Sequence, residues 1–202
     1  MNKTLKIILQ VVLAIGIVVL GYLVVESIMK PVRFKKAVKQ REKVVVQNLK
    51  DIRSAEIAYK EIHDTYTGSF DTLTRFIKKG EIPVVHIIQD PEDTTFTKTI
   101  NDTIAYANVQ DSLFQNRPDF NPAKIGTIPF SDGKKFELKT DTVKKGGVSV
   151  NVIEVKAHYK TYLHGLNEQL ILNRIKSRED IDKYPGLKFG SLQEPNTDGN
   201  WE

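Results

Sequence analysis

The feature that most constrains this chain is an apolar run near its amino terminus, from Ile7 to Met29, interrupted only by Gln10, Glu26 and Ser27. The first nineteen residues of the run contain no ionised group. A helix needs about 20 predominantly apolar residues to cross the hydrocarbon core of a bilayer. The run therefore predicts a single transmembrane helix over residues 7–29.

The flanks of this run distinguish an anchor from a signal peptide. Residues 1–6 form a short flank that carries only two lysines. The run is longer than the apolar region of a signal peptide, and no small-x-small cleavage site follows it. We therefore expect the helix to stay attached to the rest of the protein.

The net charge of +5 is concentrated just after the run. Between Lys30 and Ile62 there are ten lysines and arginines against four acidic residues, whereas His63–Glu202 has eighteen against twenty. The nearly neutral remainder gives no electrostatic basis for nucleic-acid binding. Basic residues beside a membrane helix favour contact with anionic lipid headgroups. The predicted lipid-contact residues are Lys30, Arg33, Lys35, Lys36 and Lys39.

The orientation of the anchor is open between two alternatives. The excess of lysine and arginine after the run favours a cytoplasmic domain by the positive-inside rule. Long domains, however, are translocated largely regardless of their charge, which leaves a periplasmic domain equally compatible with the sequence.

Residues 30–63 predict a basic amphipathic stalk helix, with Pro31 expected to kink it or to restart it at a first turn. Apolar residues recur at spacings of three, four and seven along this segment. Such a stripe needs a cover, and we expect it to pack on a sheet and to contact a partner. The predicted interaction stripe comprises Val45, Leu49, Ile52 and Tyr59.

Residues 64–202 predict one globular α+β domain, because about 165 residues outside the anchor suffice for one core. Its first half is expected to hold a short helix over Phe70–Ile77, capped by Ser69, and an edge strand over Ile82–Ile88. The stretch from Gln89 to Pro122 is weakly periodic, and we expect short helical pieces within Ile100–Phe114.

The second half of this domain predicts a small antiparallel sheet. The expected strands are Ile125–Phe130, Lys135–Thr140 and Val148–Tyr159, joined at glycine-containing turns. Asn167 is expected to cap a helix that ends before Tyr184. The remaining tail, from residue 187 onward, predicts turns rather than regular structure.

Residues along the amphipathic helix and at the carboxyl end follow a family pattern. The chain closes on an acidic, Gly/Asn-rich loop with its only tryptophan, Trp201. Along the helix the pattern comprises Lys50-Asp51-Ile52, Ala55 and Ala58-Tyr59-Lys60. It continues beyond the helix with Tyr66 and Leu73. In these residues and in the order of its parts, the chain resembles type IV pilins and type II secretion pseudopilins. It also resembles uncharacterised membrane proteins of the Bacteroidota.

The resemblance implies a pilin-like stem on an antiparallel sheet, in the inner membrane of a two-membrane cell. Two features depart from the family pattern. No Gly-Phe-Thr-Leu-x-Glu processing site precedes Ile7, and Thr67 follows Tyr66 where the family has proline. We therefore expect a stem that stays in the membrane instead of joining a filament.

The residues that could carry chemistry are few. Cysteine is absent, which excludes thiolate metal sites and cysteine nucleophiles. Glu154, His158 and His164 lie close in sequence but match no metal-ligand spacing, so we expect surface or strand-end roles. No nucleophile or phosphate-binding motif is present, and neither an enzyme, a resident cofactor nor a small-molecule substrate is expected.

The carboxyl-terminal loop is the one candidate for a cation. Its oxygen-bearing side chains alternate, and the resembled pseudopilins hold calcium in a loop of this kind. The candidate calcium ligands are Glu194, Asn196 and Asp198.

Two functional hypotheses follow. The first is a non-enzymatic, membrane-anchored structural or interaction protein, a pilin-like scaffold component of an envelope complex with a periplasmic domain. It would bind membrane lipid and either a protein partner or a second copy of itself. The alternative is a cytoplasm-facing binding module whose basic stalk contacts anionic lipid and recruits a soluble partner.

Overall fold

The computed structural model describes residues 3–89, 99–117 and 119–202. Its first element is α1, Lys3–His63, a helix of 61 residues and thus about 90 Å long. The apolar stretch of α1 is long enough to cross a membrane, and none of the residues in its most apolar window is buried. Of the two alternatives predicted at Pro31, a kink or a restart, the restart does not occur, because Pro31 lies inside the continuous helix α1.

The second half of α1 buries one face. Its apolar stripe and two carboxylates are at most 7% exposed, and they pack against the rest of the chain. The buried members are Val38, Val45, Leu49, Asp51, Ile52, Ala55, Glu56 and Ala58. One core therefore includes both the predicted stalk and the predicted domain, and the boundary at residue 64 separates no packing units.

A loop and a short helix follow α1. The helix α2, Phe70–Lys79, confirms the prediction, and Leu73, Phe76 and Ile77 bury its apolar face. Ser69 occupies the N-cap position, but its side chain makes no capping hydrogen bond. The expected cap is thus right in position and wrong in its contact.

The next element is a two-stranded antiparallel ribbon, which we call the arm. It consists of β1, Glu81–Gln89, and β2, Thr99–Asn108. The predicted strand at 82–88 is confirmed. Helical pieces were expected within Ile100–Phe114, but residues 100–108 belong to β2, and the helix in this range begins only at α3, Val109–Phe114. The polar segment at 90–98, expected to form an excursion, lies outside the described residues.

A separate three-stranded sheet has the order β3-β4-β5 and is antiparallel throughout. A single 3-10 turn, Pro122–Lys124, precedes it. The strands are β3, Glu137–Lys145; β4, Val148–His158; and β5, Gly186–Gly190. The predicted strand at 125–130 is wrong, because only an isolated bridge from Thr127 to Lys135 forms there.

Two helices connect β4 to β5. They are α4, Tyr159–Tyr162, and α5, Glu168–Glu179. Asn167 caps α5 as predicted, since its Oδ1 accepts a hydrogen bond from the backbone N–H of Leu170 at 3.0 Å. The tail prediction missed β5, whose Leu187 and Phe189 are buried in the core. The α+β class with a small antiparallel sheet is confirmed.

Candidate functional site

Where the structure describes its surroundings, the arm contacts the rest of the domain at its base. In the part of the chain that the structure describes, β1 and β2 pair only with each other. At the base, Ile82 packs against the core and the N–H of Val109 donates to the carbonyl of Gly80 at 3.1 Å. Both outer edges of the ribbon therefore present unpaired backbone groups.

The arm exposes large apolar side chains. Val84 and Val85 are 39% and 45% exposed, and Ile104 and Tyr106 are 62% and 68% exposed. Ile104 and Tyr106 lie two residues apart on β2, and successive side chains of a strand alternate between its faces. Tyr106 pairs with Pro83, so these two side chains share one face, whereas Ile104 has no partner on β1 and lies at a register shift that interrupts the alternation.

The register of the arm shifts between Val84 and Val85, opposite Ile104. Bulges of this kind bend and twist a ribbon locally, and they are frequent at sheet edges. The sequence interpretation missed the arm as a surface. The available signal was the β-branched content of both strands together with their low charge.

The predicted interaction stripe does not form an intermolecular surface. Val45, Leu49 and Ile52 are 0% exposed and lie in the intramolecular core. Tyr59 is half-buried and stacks on His63, with ring centroids 4.0 Å apart. The expected contact of this stripe with a partner is therefore wrong, because the domain itself covers α1.

The predicted lipid-contact residues keep their charges at the surface. All five are exposed along the part of α1 that follows the apolar run, namely Lys30, Arg33, Lys35, Lys36 and Lys39. Glu26 forms an ion pair with Arg33 at 3.4 Å. The exposed cationic surface thus begins where the apolar run ends.

One basic residue of this region has a structural role. Arg41 Nη1 donates to the carbonyls of Tyr162 and His164, at 3.0 and 2.7 Å, and its guanidinium lies 5.0 Å from the Phe130 ring centroid. These contacts tie the second half of α1 to the end of α4.

Two further ion pairs fasten the domain to α1. Glu42 accepts from Arg174 of α5 at 2.7 Å, and Asp51 accepts from Arg117 at 3.0 Å. Burial raises the pKa of Asp51, against the opposing effects of Gln47 and Arg117. Since these charges are paired within the chain, they hold α1 in place and offer no free catalytic group.

Glu154, His158 and His164, which lie close in sequence, contact different partners and do not form one cluster. Glu154 lies between Lys156 and Lys188, with oxygen-to-Nζ distances of 2.5 and 2.8 Å. His158 Nδ1 accepts from the Lys160 N–H and caps α4, whereas His164 lies 3.3 Å from Asp132. Each residue has a local partner of its own, and Glu154 is buried within β4, where a surface or strand-end position was expected.

The candidate calcium loop uses part of its oxygen set internally. Asn196 Oδ1 accepts from the Asp198 N–H at 2.6 Å, and the Asn196 N–H donates to the Glu194 carbonyl at 2.8 Å. Among residues 3–89, 99–117 and 119–202, no group of three or more His, Asp or Glu side chains is arranged to hold a metal. Calcium binding stays a prediction for this loop.

Comparisons with known proteins give no relative from which a function could be inferred. No protein-family model matches the chain, and neither a curated protein nor a solved structure matches it. The likeness to pilins therefore stays a prediction from the sequence.

Proposed function

We propose that this protein is a single-pass, membrane-anchored interaction protein that presents the arm to a protein partner. The anchor is supported by the length of the apolar run and by the lack of buried residues in its most apolar window. The single observation that supports a protein partner is the exposure of apolar side chains on the arm, a ribbon outside the main sheet.

The apolar surface of the arm indicates the chemistry of the partner. Exposed apolar surface of this extent favours a binding site over plain solvation. The arm also carries few charged residues. We therefore expect a partner that offers an apolar surface to Ile104 and Tyr106. A non-enzymatic role accords with the pairing of the buried carboxylates Asp51 and Glu154 to cations of the chain.

Site-specific photocrosslinking in the native cells tests the partner. A benzophenone amino acid at Tyr106 should yield a discrete crosslinked species, and Ile104→Asp in the same chain should abolish it. Ile181 serves as the control position because it is similarly exposed, at 56%, but lies outside the arm. A species of twice the chain mass would identify a second copy as the partner. Equal adducts from both positions, or none from Tyr106, would contradict the proposal.

The exposed basic residues after the apolar run favour a second candidate, in which the domain faces the cytoplasm and recruits a soluble protein. We propose the periplasmic orientation first, from the resemblance to pilins. Protease added to spheroplasts should then digest the domain and leave the membrane helix. Full protection of the domain, with a periplasmic control protein digested, would support the cytoplasm-facing binding module instead.

A further inference from the structure

The first turn of α5 lies beside the end of the apolar run. Asn167, Gln169 and Leu170 line a groove of about 450 Å³ together with residues of α1 that include Leu23 and Lys30. An adjoining groove of about 350 Å³ shares Lys30 and Asn167 with the first. The domain thus reaches the level of the apolar run, although a stalk helix was expected to hold it away.

The position of this turn along α1 corresponds to the surface of a bilayer. The first nineteen residues of the run span about 28 Å at 1.5 Å per residue, close to the thickness of the hydrocarbon core. If they fill that core, Glu26 to Lys30 lie among the headgroups. Residues 167–170, which line the same groove, lie at the same depth.

The side chains around the groove suit that environment. Leu166 and Leu170 are half-buried, while Asn167, Glu168 and Gln169 are exposed. Lys30 and Arg33 are exposed on the α1 side, and their long side chains can reach phosphate groups while their methylenes stay in apolar surroundings. Among the five exposed cations of the lipid-contact set, only Arg33 forms an ion pair within the described residues, with Glu26, which also lines the groove.

We propose that the first turn of α5, Asn167–Leu170, rests in the headgroup layer of an anionic bilayer beside Lys30 and Arg33. The inference rests on the membrane anchor of the proposed function. The ligand of the groove is an anionic phospholipid, because the groove continues directly from the apolar run and Lys30, which forms no ion pair within the described residues, lines both grooves. The domain is then seated on the membrane, in a defined orientation.

A single fluorophore can test this contact, since the chain has no cysteine of its own. Gln169→Cys, at an exposed position of the turn, is labelled with an environment-sensitive nitrobenzoxadiazole dye in the full-length protein. Asp141→Cys is the matched control, because it is exposed on β3. Its neighbour Thr142 hydrogen-bonds to Asn151, which in turn contacts Asp64 at the far end of α1.

Both labelled proteins are reconstituted in phosphatidylcholine vesicles containing phosphatidylglycerol and a lipid with a nitroxide near its headgroup. We expect several-fold stronger quenching and a blue-shifted emission for the label at 169 than for the label at 141. Equal quenching at both positions, in protein that floats with the vesicles, would overturn the inference. Failure to float would instead overturn the membrane anchor.

The charge of the lipid is tested in the same system. Replacing phosphatidylglycerol by phosphatidylcholine, or introducing Lys30→Gln and Arg33→Gln, should reduce the quenching at position 169. Quenching that neither the lipid replacement nor the double substitution changes would show that the turn contacts lipid without selecting anionic headgroups. That result would contradict this part of the inference.

Discussion

Replacing Leu49 by alanine should lower the free energy of unfolding of the domain by about 2–5 kcal/mol, the range found for fully buried leucines. Leu49 is 0% exposed, so its truncation removes buried methyl groups and leaves a cavity between α1 and the domain. Denaturant unfolding of the full chain in detergent micelles measures the loss. Trp201 is the only tryptophan, and its fluorescence reports on the domain and not on the apolar helix.

Val44→Ala is the matched control for Leu49→Ala. Val44 lies on the same helix but is 42% exposed, and substitutions at exposed positions usually change stability by about 0.5 kcal/mol or less. A free energy of unfolding that Leu49→Ala leaves unchanged would mean that the stripe is free in the isolated protein. The first interpretation, a stripe that contacts a partner, would then be restored.

Replacing Glu56 by alanine should cost about 2–4 kcal/mol, because its buried carboxylate holds the loop that follows α1. Glu56 is 0% exposed and accepts hydrogen bonds from the backbone N–H and the hydroxyl of Thr67, at 2.9 and 2.5 Å. Without the carboxylate, the Thr67 N–H loses its partner and a cavity remains. The same denaturant experiment measures the change.

Glu56→Gln separates the charge of this side chain from its hydrogen bonds. The glutamine carbonyl can accept from the Thr67 N–H while its amide donates to the Thr67 hydroxyl. That hydroxyl can then donate to the Ser69 carbonyl, which lies 3.1 Å away. We expect Glu56→Gln to stay within about 1 kcal/mol of the wild type at neutral pH. A loss as large as that of Glu56→Ala would show that the negative charge itself is required.

The pH dependence of stability follows from the burial of Glu56. Burial raises the pKa of Glu56 above its ordinary value of 4.5, and the hydrogen bonds from Thr67 only partly oppose this. Between the unfolded and the folded pKa, the folded protein binds more protons, so stability falls as pH rises through that window. The wild type should therefore gain stability relative to Glu56→Gln as the pH is lowered from neutral towards 4.5. A constant difference would contradict a raised pKa.

The sequence correctly predicted those elements whose periodicity, capping or turn residues all lie within one short segment. The apolar run, the stripe of α1, the cap at Asn167 and the β3–β4 hairpin were all recognised from spacing or turn residues. In each, the periodicity or the turn chemistry agrees with the final structure.

Elements that depend on distant partners were missed or misassigned. The tail segment Gly186–Gly190 has glycine at both ends and follows a proline, signals that favour turns. It becomes a strand because β4 offers it an edge, with Val155 paired to Phe189. Thr99–Asn108 is likewise a strand through its pairing with β1, and the apolar segment at 125–130 finds no such ladder.

The candidate functional surfaces were likewise predictable from the sequence only in part. By itself, the sequence determined that an apolar helix begins the chain, that cations follow it and that an amphipathic stripe needs a cover, because hydropathy and charge are properties of each segment. Only the tertiary structure decided that the domain supplies that cover, that the arm is left exposed and that α5 begins beside Lys30. Burial and pairing depend on which distant segments come together, and no local window of sequence contains that information.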